Sequence, residues 1–425
     1  MRGARSTSRS ARPSVLRHSN PQATWPNSAT QHTIFVTHPS LSPPDSPTRV
    51  VIIGAGLLGG SLLAALQSHR TLPAPGLHLT AVSSNETIIA LRARAWCDAH
   101  FAYDALGDAC ADADIVILCT PLLTIHAQID AIAAQRARLA RHAIITDVGS
   151  TKGDICAHGF AAFPADAHDA PRFVGGHPMA GSEKSGLSAS DPLLYQSALW
   201  VLCPPADLPP ARLGTLRTLV HAAGARIAIL DPAQHDAAVA RISHVPQVLA
   251  SVLAGWAGDD DALAETALTL AAGGFRDMTR LALSSYDVWC DIIATNRMPV
   301  AQGLQEMAEK LSALSIAIRV ANADATDDLE GAFTSGRAFR QRFHMPRKGI
   351  LHDLTEFIVR LEDRPGQLMA LFAPLATAGI NIQDLEILKV REGESGTVLV
   401  SFGSPEEAAM ARTLLTTSGF TIFER

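Results

Sequence analysis

The stretch RVVIIGAGLLGGSLLAAL, Arg49 to Leu66, constrains the fold more than any other part of the chain. A β-branched run ending at Ile53 meets glycines spaced G-x-G-x-x-G, and an apolar segment of helical length follows. Such glycines are weak evidence alone, but between a strand and a helix they mark a turn that receives a dinucleotide. Gly54 permits the tight turn, Gly56 lets backbone approach a pyrophosphate, and Gly59 lets helix and strand pack closely. The helix N-terminus offers unpaired N–H groups and partial positive charge to the phosphates. Leu58 in the turn, and Thr120 and Pro121 after a later strand, complete the expected contacts at the start of the cofactor site.

Strand-length apolar runs recur in LHLTAVS, ADIVILCTP, HAIITDVGS and SALWVLCP, separated by helix-length segments. This alternation predicts an α/β Rossmann-type domain, a doubly wound parallel sheet over 48–230. The second strand should end in a carboxylate if it grips the ribose 2′-OH of NAD. It ends instead at Ser83, with no arginine directly after, so NAD and NADP both stay open. From 231 to 345 strand signals nearly vanish. DPAQHDAAVARISHVPQVLASVLAGW and NRMPVAQGLQEMAEKLSALSIAIRVANA read as long helices whose wide apolar faces need other helices, those of a second subunit included. These residues are expected to form an all-helical substrate and dimerisation domain. Residues 350–425 read as strand, helix, strand, strand, helix, strand, the ferredoxin-like order. Leu368, Leu371, Phe372 and Leu375 should share the buried face of its first helix.

Residues 1–47 have a different texture, rich in Ser, Pro, Thr and Arg, with Asp45 the first acid. They cannot bury enough apolar surface to fold and are expected to be a disordered tail. Acid-poor, Arg- and Ser-rich ends also resemble organelle transit peptides. The Ala- and Arg-rich, Lys-poor composition points rather to a bacterial coding bias, with a solvated tail or a start assigned too far upstream. A net charge of -6 gives no reason to expect nucleic acid or a membrane surface as partner. Cys97, Cys110, Cys119, Cys156, Cys203 and Cys290 are scattered without a CxxC pair. That argues against a metal site or a disulfide framework and fits a reducing cytoplasm. Ile242 to Gly258 carries His, Pro, Gln and two Ser, a poor membrane span.

The stretch GGHPMAGSEKSG, Gly175 to Gly186, reads as a flexible polar loop on the ligand-binding side of the sheet. His177 within it is a candidate base or hydrogen-bond acceptor, because its ordinary pKa is near neutrality. With GAGLLGGS, DVGSTKGDI, HDAAVARISHVPQ, GGFRDMTR and WCDIIATN in the same order, the chain resembles the prephenate dehydrogenase family, which includes arogenate and cyclohexadienyl enzymes of tyrosine synthesis. The resemblance implies a homodimer that oxidatively decarboxylates prephenate or arogenate with NAD or NADP. It implies that His177 accepts the substrate hydroxyl's hydrogen bond, supported by Ser150. Arg280 would pair with a substrate carboxylate, Glu183 and Asp277 would hold and gate that arginine, and Ser182 would line the same loop. Many relatives have a second histidine where this chain has Gln247, which leaves the choice of substrate open. Gln247 and His244 are expected substrate contacts. His235 lies nine residues before His244, about half a turn away on a regular helix, so it is expected to be structural. The terminal unit resembles an ACT domain, which implies that Gly366 in RPG and Asn381 in GIN take a free amino acid, tyrosine being the expected effector.

Two other readings compete. A different β-hydroxyacid dehydrogenase would need a lysine base, for which Lys152 and Lys184 are the nearby candidates. A non-catalytic amino-acid sensor would keep the terminal unit and let the rest degenerate. The His177, Ser150 and Arg280 set weighs against the sensor.

Overall fold

The computed structural model describes residues 47–68, 76–165, 170–181, 184–320, 323–342, 354–362, 364–389 and 396–423. The expected tail, except Pro47, and both Ser182 and Glu183 lie outside the described residues.

Eight strands build the first sheet: β1 Thr48–Ile53, β2 Leu77–Ser83, β3 Ala99–Ala102, β4 Ile115–Leu118, β5 Ile144–Asp147, β6 Arg172–Pro178, β7 Leu199–Cys203 and β8 Arg226–Ile229. They lie in the order β3-β2-β1-β4-β5-β6-β7-β8. Pairing is parallel from β3 through β6. β6 and β7 run antiparallel, with His177 opposite Val201, and β8 pairs parallel with β7. Successive β1 residues alternate between two cores, as they must in a sheet covered on both faces. Val50 and Ile52 pack with Leu62, Leu63 and Leu66 of the first helix. Val51 and Ile53 pack with Ile125, Ile129 and Ile132 on the other side.

Three of these strands are not visible as apolar runs. β3 is AHFA and only half-buried, β8 is RIAI at the sheet edge, and β6 carries two glycines. The expected flexible loop at Gly175 therefore begins as a strand, and Gly175, Gly176 and Pro178 are buried. The glycines are there for close approach. A Cβ on Gly176 would collide with the Asp147 carbonyl, and one on Gly175 with Cys156 Sγ.

The helical region starts at Pro232–Val239, capped by Asp231, whose carboxylate accepts from the Ala233 and Gln234 amides at 2.8 and 3.2 Å. A π turn, Ala240–His244, joins it to the helix Val245–Gly258. Pro232–Gly258 is long and apolar enough, by length and composition alone, to cross a membrane. Here it carries four buried polar side chains, His235, Asp236, His244 and Gln247. Further helices include Tyr286–Thr295 and Arg297–Val320. Trp256, Leu263, Leu270, Leu311 and Ile316 are exposed on this region, an apolar surface suited to burial against another chain.

The terminal unit is antiparallel: β9 Thr355–Leu361, β10 Asp384–Lys389, β11 Gly396–Phe402 and β12 Thr421–Phe423, in the order β10-β11-β9-β12. With helices Gln367–Thr377 and Pro405–Thr417 this is the ferredoxin-like arrangement. Phe357, Val359, Leu371, Leu375, Val400, Phe402 and Leu415 form its core. Leu368, expected on the buried face, is 39% exposed. It lines a cavity of about 450 Å³ with Arg364, Pro365, Gly366, Met369 and Ile387.

The glycine turn gives a test of the packing. A Cβ on Gly59 would strike the Gly54 carbonyl, whereas one on Gly56 meets nothing within 4 Å. Gly59→Ala should lower stability by about 1–3 kcal/mol, the usual cost of overpacking. Gly56→Ala, at φ -82, should leave the thermal midpoint unchanged and weaken nucleotide binding instead. Thermal melts and nucleotide titrations of both variants check the pair, and equal melting shifts would refute it.

Candidate active site

The turn after β1 is shaped for a dinucleotide. Gly54 has φ +95, a conformation that favours glycine, and its amide donates to the Val82 carbonyl at 2.8 Å. Its Cα faces the Cys119–Thr120 turn, where an added Cβ would come within 2.8 Å of Thr120 Cγ2. The helix Leu57–Gln67 begins after Gly56 with no side-chain cap, so its first amides remain for a phosphate. The Tyr195 hydroxyl donates to the Leu58 carbonyl at 2.7 Å and helps fix the turn. Thr120 donates to Gln128 Oε1 at 2.7 Å, and Pro121 caps the helix Leu122–Ala133. Ser83 is buried at the end of β2 and hydrogen-bonds Tyr103. The residues present fit a nicotinamide dinucleotide. Among the described residues no group of three or more His, Cys, Asp or Glu could hold a metal ion.

Along the same sheet edge, β5 ends in Asp147, whose side chain is fully buried. Its Oδ1 accepts from the Gly176 amide at 3.0 Å, and its Oδ2 from the Gly149 amide at 2.8 Å and from Lys152 Nζ. Asp147 thus ties the turn after β5 to the strand that carries His177. Lys152 is likewise fully buried in that ion pair, so it is not available as the base of a β-hydroxyacid dehydrogenase.

His177, near the end of β6, is half-buried, and its Nδ1 lies 2.8 Å from His235 Nε2. His235 Nδ1 in turn lies 2.8 Å from Asp236 Oδ1. Asp236 accepts from the Lys152 and Gly153 amides, each at 2.7 Å, at the start of the helix Gly153–Ala162. His235 is therefore not an isolated structural residue, as its helical phase predicted. A regular helix would set His235 half a turn from His244, and the π turn Ala240–His244 takes up part of that half-turn. Both imidazoles act on His177. Burial first, then repulsion from the Lys152 ammonium and from His235 and His244 whenever they are protonated, holds the His177 pKa well below its ordinary value. Burial also pushes His244 down to about 4, against the upward pull of Asp236. His244 Nδ1 meets Asn296 Nδ2 at 3.1 Å and its ring sits edge-on to Trp289.

The expected substrate contacts are only partly assembled. Ser150 is half-buried between Gly149 and Thr151, whose hydroxyl pairs with Thr295 at 2.8 Å. Gln247 is buried, and its Nε2 donates to the Leu281 carbonyl at 2.8 Å. That bond anchors the short turn Arg280–Leu283 and uses one of the two amide N–H groups, while the buried Oε1 has no partner. Arg280 and Asp277 are exposed, and among the described residues no ion pair joins them. Gly366 lines the terminal unit's cavity, while Asn381 is exposed and outside its lining.

Two family models match consecutive segments of the chain. Residues 80–229 match the prephenate dehydrogenase nucleotide-binding domain, and residues 231–334 match the prephenate dehydrogenase dimerization domain. The chain belongs to the prephenate dehydrogenase family. A prephenate dehydrogenase of Bacillus subtilis is 28% identical over 364 residues, 85% of this chain and 94% of the relative. The arogenate dehydrogenase of Synechocystis, a solved structure, superposes with a TM-score of 0.60 at 27% identity, over 70% of this chain and 100% of that one. A prephenate dehydrogenase of A. aeolicus, solved with hydroxyphenyl propionate and NAD+, gives 0.56 at 25% identity, over 69% and 99%. Membership of the prephenate dehydrogenase family makes the chain an NAD-dependent oxidoreductase.

The buried Asp147–Lys152 pair under this family's site can be tested by stability. Lys152→Met leaves a buried carboxylate uncompensated and should destabilise by about 3–5 kcal/mol. Adding Asp147→Asn should recover much of that loss in denaturant unfolding. An additive double variant would show that the two side chains are not coupled.

Proposed function

We propose that this chain converts prephenate to 4-hydroxyphenylpyruvate and CO2, and that it does so as a homodimer. The observation that carries this reading is His177, held uncharged on the sheet edge shared with the dinucleotide turn, in a chain of this family. A bound NAD would supply the acceptor for the hydride that leaves the ring carbon bearing the hydroxyl. His177 accepts the hydroxyl's hydrogen bond and takes up positive charge from it as the C–H bond breaks. Loss of CO2 returns its bonding electrons to the ring, which aromatises, and the phenol keeps the proton. Ser150 supports the hydroxyl contact from the turn after β5. Arg280 holds a substrate carboxylate through its two-pronged guanidinium, Asp277 and Glu183 are the acidic partners that hold and gate that arginine, and Ser182 and His244 are further substrate contacts. Gly54, Gly56, Leu58 and Gly59 would hold the cofactor, with Ser83, Thr120 and Pro121 flanking it. With no carboxylate at Ser83, NADP is a second acceptable cofactor.

Arogenate is the second reading, and one observation favours it. Gln247 Oε1 is a buried acceptor without a partner, and an ammonium donates to it where a ketone cannot. We further divide the chain at 48–230, 231–345 and 350–425, the last an ACT-type regulatory unit that takes tyrosine in the cavity beside Gly366. Six unbonded cysteines support a reducing cytoplasmic setting.

NAD(P)H formation with prephenate and with arogenate, followed by fluorescence, distinguishes the two substrates. His177→Asn should lower kcat by about 10²–10⁴-fold, the range of general acid–base catalysis, with nucleotide affinity unchanged. Because His177 stays uncharged well below its ordinary pKa, wild-type kcat/KM should hold as pH falls through 6.5. Arg280→Ala should raise the substrate KM roughly 10- to 150-fold, from about 1.5–3 kcal/mol for a charged hydrogen bond. A loss below about threefold in His177→Asn would remove His177 from the chemistry.

Tyrosine control has its own test. Leu368→Trp fills part of the cavity at its rim and should abolish inhibition by tyrosine while basal kcat stays at the wild-type value. Inhibition equal to wild type would place tyrosine at the active site instead.

A further inference from the structure

We propose that His235 is a positioning residue that sets the tautomer of His177, so that His177 Nε2 is bare and able to accept the substrate hydroxyl. The proposal rests on the reading of His177 as that acceptor. It follows from a chain of contacts in which, with both imidazoles neutral, each step determines the next.

The chain starts at Asp236. A carboxylate oxygen accepts, and Asp236 Oδ1 already takes the Lys152 amide at 2.7 Å while Oδ2 takes the Gly153 amide. His235 Nδ1, 2.8 Å from Oδ1, must therefore carry a proton. With His235 neutral, its one N–H is spent on Asp236, which leaves His235 Nε2 as an acceptor. The atom facing it at 2.8 Å is His177 Nδ1, which must then be the donor. His177 has only one N–H when neutral, so its Nε2 holds a lone pair. The opposite tautomer of His177 would place two acceptors face to face across 2.8 Å.

Burial makes the arrangement firm. His235 is 1% exposed and Asp236 is 5% exposed, so water does not compete for either partner. His235 and Asp236 are adjacent on the helix Pro232–Val239, whereas His177 is on β6, so the acceptor that selects the tautomer belongs to a different element from the base. Orientation by a hydrogen-bonded partner is the usual means of fixing which imidazole nitrogen reacts. The carboxylate here acts through a second imidazole rather than directly.

The test uses the full chain with two substitutions. His235→Leu removes the acceptor, whereas His235→Gln supplies a carbonyl oxygen close to where Nε2 stood. His235→Leu should lower kcat roughly 10- to 100-fold, the range for loss of an orienting partner, with substrate KM and nucleotide affinity unchanged. His235→Gln should recover most of the kcat. Nitrogen-15 NMR of histidine-labelled wild-type protein should show His177 protonated at Nδ1 and bare at Nε2. This measurement stands even if His235→Leu fails to fold. A wild-type His177 protonated at Nε2 would overturn the proposal. So would wild-type kcat in His235→Leu, or equal losses in the Leu and Gln variants. If His177→Asn is itself active, the underlying reading of His177 fails, a result distinct from each of these.

Discussion

Everything in the site hangs on where the Asp236 carboxylate goes. Asp236 is in the first turns of the helical region, yet both its oxygens accept from the amides that open the helix Gly153–Ala162 in the sheet domain. That helix has no side-chain cap of its own, since Lys152 occupies the cap position with its amine directed to Asp147. Asp236 supplies the cap from outside, with negative charge placed at the positive end of the helix dipole. Its backbone carbonyl also accepts from Asn296 Nδ2 at 2.9 Å, which brings in the end of the helix Tyr286–Thr295. One residue thereby sets sheet, first helix and later helix in mutual position.

The motif DVGSTKG is the other half of the same joint. Asp147 at its start satisfies Gly149, Gly176 and Lys152, while Asp236 satisfies the amides at its end. Two buried acids thus hold one turn from both sides, and Ser150 is presented between them. Such burial is an expensive way to make a turn, because each charge loses its hydration. The return is precision in a segment that would otherwise be a flexible glycine loop.

Most of the architecture was legible because its signals are local. The run before Gly54, the apolar strands β4 and β5, and the strand-helix order of the terminal unit all follow from composition and period. β6 was not legible, because its glycines answer to Asp147 and Cys156, residues distant in sequence. His177 was found from its motif, but its partner was not. The His235–Asp236 pair looks ordinary in sequence, and nothing in ARISH announces a π turn. Gln247 was noticed as a departure, yet its bond to Leu281 depends on where the Arg280 turn lies in space. Leu368 shows the converse error, an apolar residue placed in the core by period that instead borders a cavity.

The π turn has a consequence for how this sequence can change over time. Ala240–His244 holds a widened loop of backbone in the middle of an otherwise α-helical stretch, between the residues that meet His177 and those that reach the Arg280 turn. Taking out a single residue there would restore regular i→i+4 bonding and give a locally better helix. Because the widened turn fits its extra residue into about the same rotation, that deletion would leave His235 and Asp236 near their present angle to His244 and Gln247, whereas a regular helix of the present length would swing them by roughly a quarter turn. This stretch can therefore drift in side-chain identity along its outer face, but its backbone path is constrained: at this length, a change that straightened the turn into regular helix would swing His235 away from His177.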